Sequence, residues 1–150
     1  MVVVLIIAIL IGLAIPTFLG ARRRAQDSQA KSHLRAALVA EKTYFAGSLS
    51  YTSDHDKLRE IENGLSWGTL DASARGVVVE DLSSNMESIV LRSLSRSATL
   101  FCLADSSEAY ASGDYTSISE AGTWYSRRDN ASSSSDCKGL LWETTSAGWS

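Results

Sequence analysis

Charge is missing from the start of this chain. Residues 1–19, MVVVLIIAILIGLAIPTFL, contain none, and the run ends just before Arg22, Arg23 and Arg24. Proline is almost absent, Pro16 being the single one among 150 residues. Histidine occurs twice, as His33 and His55, and cysteine twice, as Cys102 and Cys137. His33 falls on an expected helix beside Asp27 and Lys31, where it reads as a solvated residue, and His55 falls in an expected loop. They form no metal-spaced pair, and no Cys-x-x-Cys or Cys/His cluster offers a zinc site. No G-x-S-x-G motif and no phosphate-cradling glycine loop is present. These absences make an enzyme the least supported class, and no cofactor or metal is expected.

What is there begins with the apolar run itself. At about 1.5 Å of rise per helical residue it spans roughly 28 Å, close to the ~30 Å hydrocarbon core of a bilayer. A soluble domain of this size has no way to bury such a stretch around its whole circumference, so it belongs in lipid or in a bundle of its own copies. Positive charge follows the run instead of preceding it, the reverse of a cleaved secretory signal. The helical pattern then continues. Ala30, Leu34, Ala37, Leu38, Glu41 and Phe45 recur at spacings of three and four, with no Gly or Pro between Ala21 and Ala46. One helix is expected from about Val2 to Phe45, apolar all round over 1–24 and one-sided over 25–45. Pro16 removes the N–H that would bond the Gly12 carbonyl, so a kink or a melting point is expected between Gly12 and Pro16.

The string VVVLIIAILIGLAIPTFLGARRRAQ resembles the N-terminal helix of type IV pilins and pseudopilins. The β-branched block over 2–11, the Gly-Leu-Ala-Ile-Pro that follows and the aromatic Phe18 carry the resemblance. It covers the first 25 residues closely and the helix to Phe45 loosely. In that family a basic leader, a glycine cleavage site and a Phe-Thr-Leu-Ile-Glu-type start precede this block. They are expected to lie outside the present chain, so the processing site and the acidic residue have no counterpart to name here. The resemblance implies a subunit held in the membrane by its apolar helix, which then becomes filament core. Val4, Ile7, Ala8, Ile11, Gly12, Ala14, Ile15, Phe18 and Leu19 would pack that core, with Ala8, Gly12 and Ala14 allowing close approach.

Positive-inside reasoning alone would leave the rest of the chain in the cytosol. An even cysteine count in a Ser-rich, weakly acidic region instead fits an exported, oxidising environment and a Cys102–Cys137 disulfide. Two separate buried thiols are the alternative. The resemblance too implies a head outside the cell. Charge divides along the chain: six basic and two acidic side chains up to Phe45 give +4, and eight against fifteen beyond it give −7. A basic stem under an acidic head offers neighbouring copies complementary faces. Arg22, Arg23 and Arg24 read either as that inter-subunit charge or as side chains snorkelling at a membrane interface.

The head, 46–150, reads as a helical turn near 57–61 and then strands at 76–80, 87–95, 98–104 and 122–126, with a possible last strand at 139–143. Which face of the second strand is buried does not follow from its imperfect alternation. The fold expected is α+β, a long N-terminal helix packed on an antiparallel sheet of about four strands through Leu34, Ala37, Leu38 and Phe45. The four tryptophans, all in the head, read mostly as packing residues. Asn130-Ala131-Ser132 matches an N-glycosylation tripeptide, a pattern common by chance. Arg127, Arg128 and Lys138 form a small basic patch, but an acidic head argues against tracking nucleic acid. Asp105, Glu108, Asp114, Asp129 and Asp136 lack calcium-loop spacing and read as solvated loop acids.

The expected function is therefore a structural subunit of a type IV pilus-like filament. Its partners would be copies of itself, the membrane before assembly and the pilus assembly machinery, with an extracellular filament as its destination. A type II secretion pseudopilin and a non-polymerising, membrane-anchored binding domain are the alternatives.

Overall fold

The computed structural model describes residues 2–72, 75–83, 86–110, 115, 118–144 and 149, and for residues 12–17 their place in a helix without their side chains. Helix α1, Val2–Ser48, is 47 residues long and passes through Gly12 and Pro16 without a break in its span. The kink or melting point expected between Gly12 and Pro16 does not interrupt the helical span, and the side chains there lie outside the described residues. The helix outruns the expected end at Phe45. It stops where Leu49 turns left-handed at φ 58° and the Ser48 hydroxyl donates to the Tyr44 carbonyl over 2.9 Å.

A short helix α2, His55–Ile61, follows, capped by the Asp54 side chain accepting from the Asp56 N–H. Then come β1 (Ser66–Trp67), β2 (Gly76–Asp81), β3 (Ser88–Leu94), β4 (Leu100–Ser106) and β5 (Gly122–Arg128). They form one sheet in the order β1-β2-β3-β4-β5. From β2 to β5 it is an antiparallel meander, whereas β1 pairs parallel to β2 with Ser66 opposite Gly76. The sheet is thus mixed and has five strands, not about four antiparallel ones. A two-residue strand carries no periodicity, which is why β1 leaves no trace in the sequence. The expected strand at 139–143 reduces to a single bridge between Tyr125 and Glu143. Gly76 is required where it stands, because a Cβ there would lie 2.4 Å from the Thr69 carbonyl oxygen.

The sheet is covered on both faces. On one, Ala30, Leu34, Ala37 and Ala40 of α1 pack against Val77, Val79, Ile89, Leu91, Phe101 and Leu103, with Leu38 and Phe45 at the margin. On the other, Val90, Leu94, Leu100, Cys102 and Ala104 meet Trp124, Ala131, Cys137 and Trp142. Successive strand residues face opposite sides, so a strand buried on both sides reads as a continuous apolar run. That accounts for the ambiguous alternation of β3. The second cover is the C-terminal segment, fastened by the Cys102–Cys137 disulfide with its Cα atoms 6.1 Å apart. Closing a loop of 35 residues contributes about 4 kcal/mol on a chain-entropy basis. All four tryptophans are buried: Trp67, Trp124, Trp142 and Trp149.

Candidate functional site

Helix α1 divides into a bare part and a packed part. Every described side chain from Val2 to Ile11 is exposed, as are Phe18 and Leu19. Val2 is 70% accessible, Ile11 53% and Phe18 69%. Fully burying one such side chain is worth about 1.5–3 kcal/mol, so a row of them in water is far from its free-energy minimum. Of the expected core-packing residues, Val4, Ile7, Ala8, Ile11, Phe18 and Leu19 lie on this bare surface. Gly12, Ala14 and Ile15 lie within the helix, and their side chains are outside the described residues. Among the described residues no helix is long and apolar enough to cross a membrane, the described apolar stretch being divided at residues 12–17.

Above the bare part sits a polar collar. Arg22, Arg23 and Arg24 are exposed. None of the ion pairs among the described residues involves them. One turn further on, Asp27 receives the turn between β3 and β4. The Ser95 hydroxyl donates to Asp27 Oδ1 over 2.7 Å, and the Ser97 hydroxyl donates to the same oxygen. The turn is tightened by Ser95 N–H to the Thr99 carbonyl and by Ala98 at φ 63°. This contact brings Arg96 beside the stem, in a groove of about 310 Å³ lined by Leu19, Arg22, Arg23, Gln26, Arg96 and Ser97. On another side of the stem, Lys31 donates to the Trp149 carbonyl over 2.7 Å and lies 5.0 Å from the centre of the Phe101 ring. Burial lowers its pKa, with Arg127 and Arg35 acting the same way and Asp27 opposing them. His33 is half-buried on the stem helix, and burial and the charge of Arg75 hold its pKa down.

At the upper end of α1 a second polar cluster joins stem to head. Glu41 is 0% exposed; its Oε2 accepts from the Thr52 N–H over 3.3 Å, and its Oε1 has no hydrogen-bond partner among the described residues. Burial pushes its pKa up to about 8 against the opposing hydrogen bond from Thr52, and the charge of Asp81 adds to the rise. Asp105, expected to be a solvated loop acid, is buried on β4 instead. It accepts from Tyr51 Oη at 2.5 Å and Thr123 Oγ1 at 2.6 Å, and Lys42 Nζ lies 3.3 Å away. Burial and the bond to Asp105 raise the Tyr51 pKa well above the usual phenol range. His55 opens α2 instead of lying in a loop, with its Nε2 buried and without a hydrogen-bond partner among the described residues.

Asn130 is exposed two residues after β5 in a left-handed conformation, φ 53°. Arg128 of the small basic patch is engaged at home, lying 3.7 Å from Asp136 and donating to the Lys138 carbonyl at 2.8 Å. The residues that sequence reasoning missed are Asp27, Ser95 and Arg96 at the collar and Glu41, Tyr51 and Asp105 above it. For Glu41 a signal existed, since it falls on the same helical stripe as Leu34, Ala37 and Leu38. No protein-family model matches this chain, and no curated protein matches it.

Proposed function

We propose that this chain is a self-assembling filament subunit of the type IV pilin kind, anchored by α1 in a membrane before assembly. The observation that carries the reading is the division of one continuous helix. Residues 30–41 bury a stripe against the head sheet, while the apolar side chains from Val2 to Ile11 and those of Phe18 and Leu19 remain exposed. A stem built in this way requires another apolar medium: lipid first, then a bundle of identical stems. The uncharged surface of 1–19 and the Ala-Ile-Pro-x-Phe sequence over 14–18 support the bundle over a plain anchor. The Cys102–Cys137 disulfide supports export to an oxidising compartment. In this reading the partners are copies of the chain, the membrane and the machinery that moves subunits from one to the other. The head forms the filament surface, and no nucleic acid or cofactor takes part.

The test is intact-mass analysis of protein sheared from the surface of producing cells, with and without reductant. A filament subunit appears in the sheared fraction and gains the mass of two protons on reduction. A chain that stays with the membrane after shearing is an anchored, non-assembling domain.

A further inference from the structure

The registers of the sheet sort its charged side chains into two ends. Val78 lies opposite Arg92, Leu94 opposite Leu100 and Leu100 opposite Arg128, so the start of β2, the β3–β4 turn and the end of β5 share one end. Asp81 lies opposite Ile89, Ser88 opposite Ser106 and Ser106 opposite Gly122, which puts the end of β2, the start of β3, the end of β4 and the start of β5 at the other. The stem orients them. Asp27 holds the β3–β4 turn through Ser95 and Ser97, and Lys42 reaches Asp105 near the far end of β4 over 3.3 Å. Those two stem residues lie about 22 Å apart along the helix axis. The head thus has a foot toward the bare stem and a crown about 22 Å above it.

The foot is basic. It carries Arg75, Arg96, Arg127 and Arg128 against Asp71 and Asp129. Arg127 shares a groove of about 430 Å³ with Arg24, Lys31 and Arg35 of the stem, where Asp27 is the one acid. Some of these charges are engaged at home: Arg96 Nε donates to the Ala72 carbonyl, Arg127 lies 4.0 Å from Asp129, and Arg128 pairs with Asp136. The sign of the foot does not hang on any one of them. The crown is the reverse. Segments 81–88 and 105–122 contain no lysine or arginine but hold Asp81, Glu87, Asp105, Glu108, Asp114 and Glu120. Glu108 and Glu120 are exposed and enter none of the ion pairs among the described residues. Lys42, and Lys57 and Arg59 of α2, each pair with an acid of their own chain, Asp105, Asp54 and Asp56. The division of charge therefore runs through the head itself and not only between stem and head.

Stems that share one membrane run parallel. Copies side by side at one height set foot beside foot, and like charges oppose that arrangement. A copy displaced along the stem by about the height of the head sets its foot on the crown of the next. We propose that the heads stack in this way, Arg24 and Arg127 on the foot of one copy facing Glu108 and Glu120 on the crown of another. Each copy gives one end and receives the other, so the contact is heterologous. Because every step advances along the stem, it repeats without closing and builds a filament instead of a dimer. This inference rests on the filament reading above.

The experiment uses the full chain in its producing cells. In sheared filaments of Arg127→Lys, a carbodiimide, which joins an amine to a carboxylate without a spacer, links the introduced amine to Glu108 or Glu120. Within one chain foot and crown stand about 20 Å apart, the length of β4, so such a link joins two copies. Arg127→Glu lowers the yield of sheared filaments roughly tenfold, and Glu120→Arg does the same. The double variant Arg127→Glu/Glu120→Arg restores most of the yield. Arg59→Glu, the same change of net charge on α2, leaves it unaltered. Yields are compared among variants whose heads give the wild-type near-ultraviolet circular dichroism. Filaments that form normally but give no link from foot to crown overturn the proposal, as does a double variant that stays at the yield of the single ones. An equal loss in Arg59→Glu also overturns it, by making net charge the cause. So does a closed dimer of the chain in detergent that Arg127→Glu disperses. Absence of wild-type filaments from the sheared fraction defeats the filament reading itself, and the contact falls with it.

Discussion

The Tyr51 hydroxyl donates to Asp105 Oδ2 over 2.5 Å, joining the loop after the stem helix to the end of β4. Both residues are buried, and Thr123 and Lys42 complete the surroundings of the carboxyl. The head is thereby tied to the upper stem by polar bonds as well as by the apolar stripe from Ala30 to Ala40. In the proposed filament, such ties would let the position of the head follow from the packing of its stem.

Tyr51→Phe removes one donor to Asp105 and should lower stability by about 1–3 kcal/mol. Asp105→Ala leaves Tyr51 and Thr123 without their acceptor and should cost more. Denaturant midpoints of the full chain in detergent measure both, and equal midpoints for wild type and Tyr51→Phe would make the bond idle. Lys42→Ala should cost under about 1 kcal/mol, since its ammonium is half exposed.

Glu41 gives stability a pH dependence of defined sign. Its pKa in the fold is about 8, against 4.5 as the ordinary value. Between those two values the unfolded chain has released a proton that the folded chain keeps, so stability declines as pH rises. The slope approaches about 1.4 kcal/mol per pH unit and flattens above the folded pKa. Glu41→Gln should remove this decline, and its advantage over wild type should grow from pH 5 to pH 8. A gain that does not vary with pH would show that burial of the charge is not the cause.

Cys102→Ser should cost about 4 kcal/mol from the lost loop closure. The loss should fall first on the C-terminal cover, because the disulfide fastens that segment to the sheet face opposite the stem. Limited proteolysis should then cut within 132–134, where exposed serines lie, before it cuts the stem-facing core. Simultaneous loss of both faces would show that the two covers are one cooperative unit.

Ile11→Arg places a guanidinium in the bare apolar stretch, at a cost of about 2.5–3.5 kcal/mol at the centre of a membrane helix. Membrane insertion and filament yield should both fall, while the head remains folded by near-ultraviolet circular dichroism. Normal filaments from this variant would remove the stem from the filament core.

Leu49 adopts a left-handed backbone, φ 58°, with its side chain 79% exposed. Leu49→Gly should raise stability by about 1 kcal/mol by relieving that conformation at the end of α1. Thermal unfolding of the two chains under one condition decides it.

The stem was legible because its signals are local. An uncharged run and a stripe of period 3.6 need no knowledge of the rest of the chain, and Leu34 and Ala37 fell on the buried side as their spacing required. The four longer strands were legible from β-branched and aromatic clusters between glycine and serine, to within a few residues at each end. β1 was not, since two residues have no pattern. The collar was not legible either, because Asp27 and Ser97 lie 70 positions apart and polar side chains give no sign of their distant partners.

By itself the sequence determined that one long helix leaves an apolar length with no place in the head, because 19 successive uncharged residues exceed what one small core can surround. Only the tertiary structure decided which polar groups are buried and which charges converge. Glu41 and Asp105 are carboxylates like any other until the stem, the loop at Tyr51 and the sheet close over them. Arg96 joins Arg22 and Arg23 only when a turn docks on a helix, and such meetings depend on distances in space that no local period encodes.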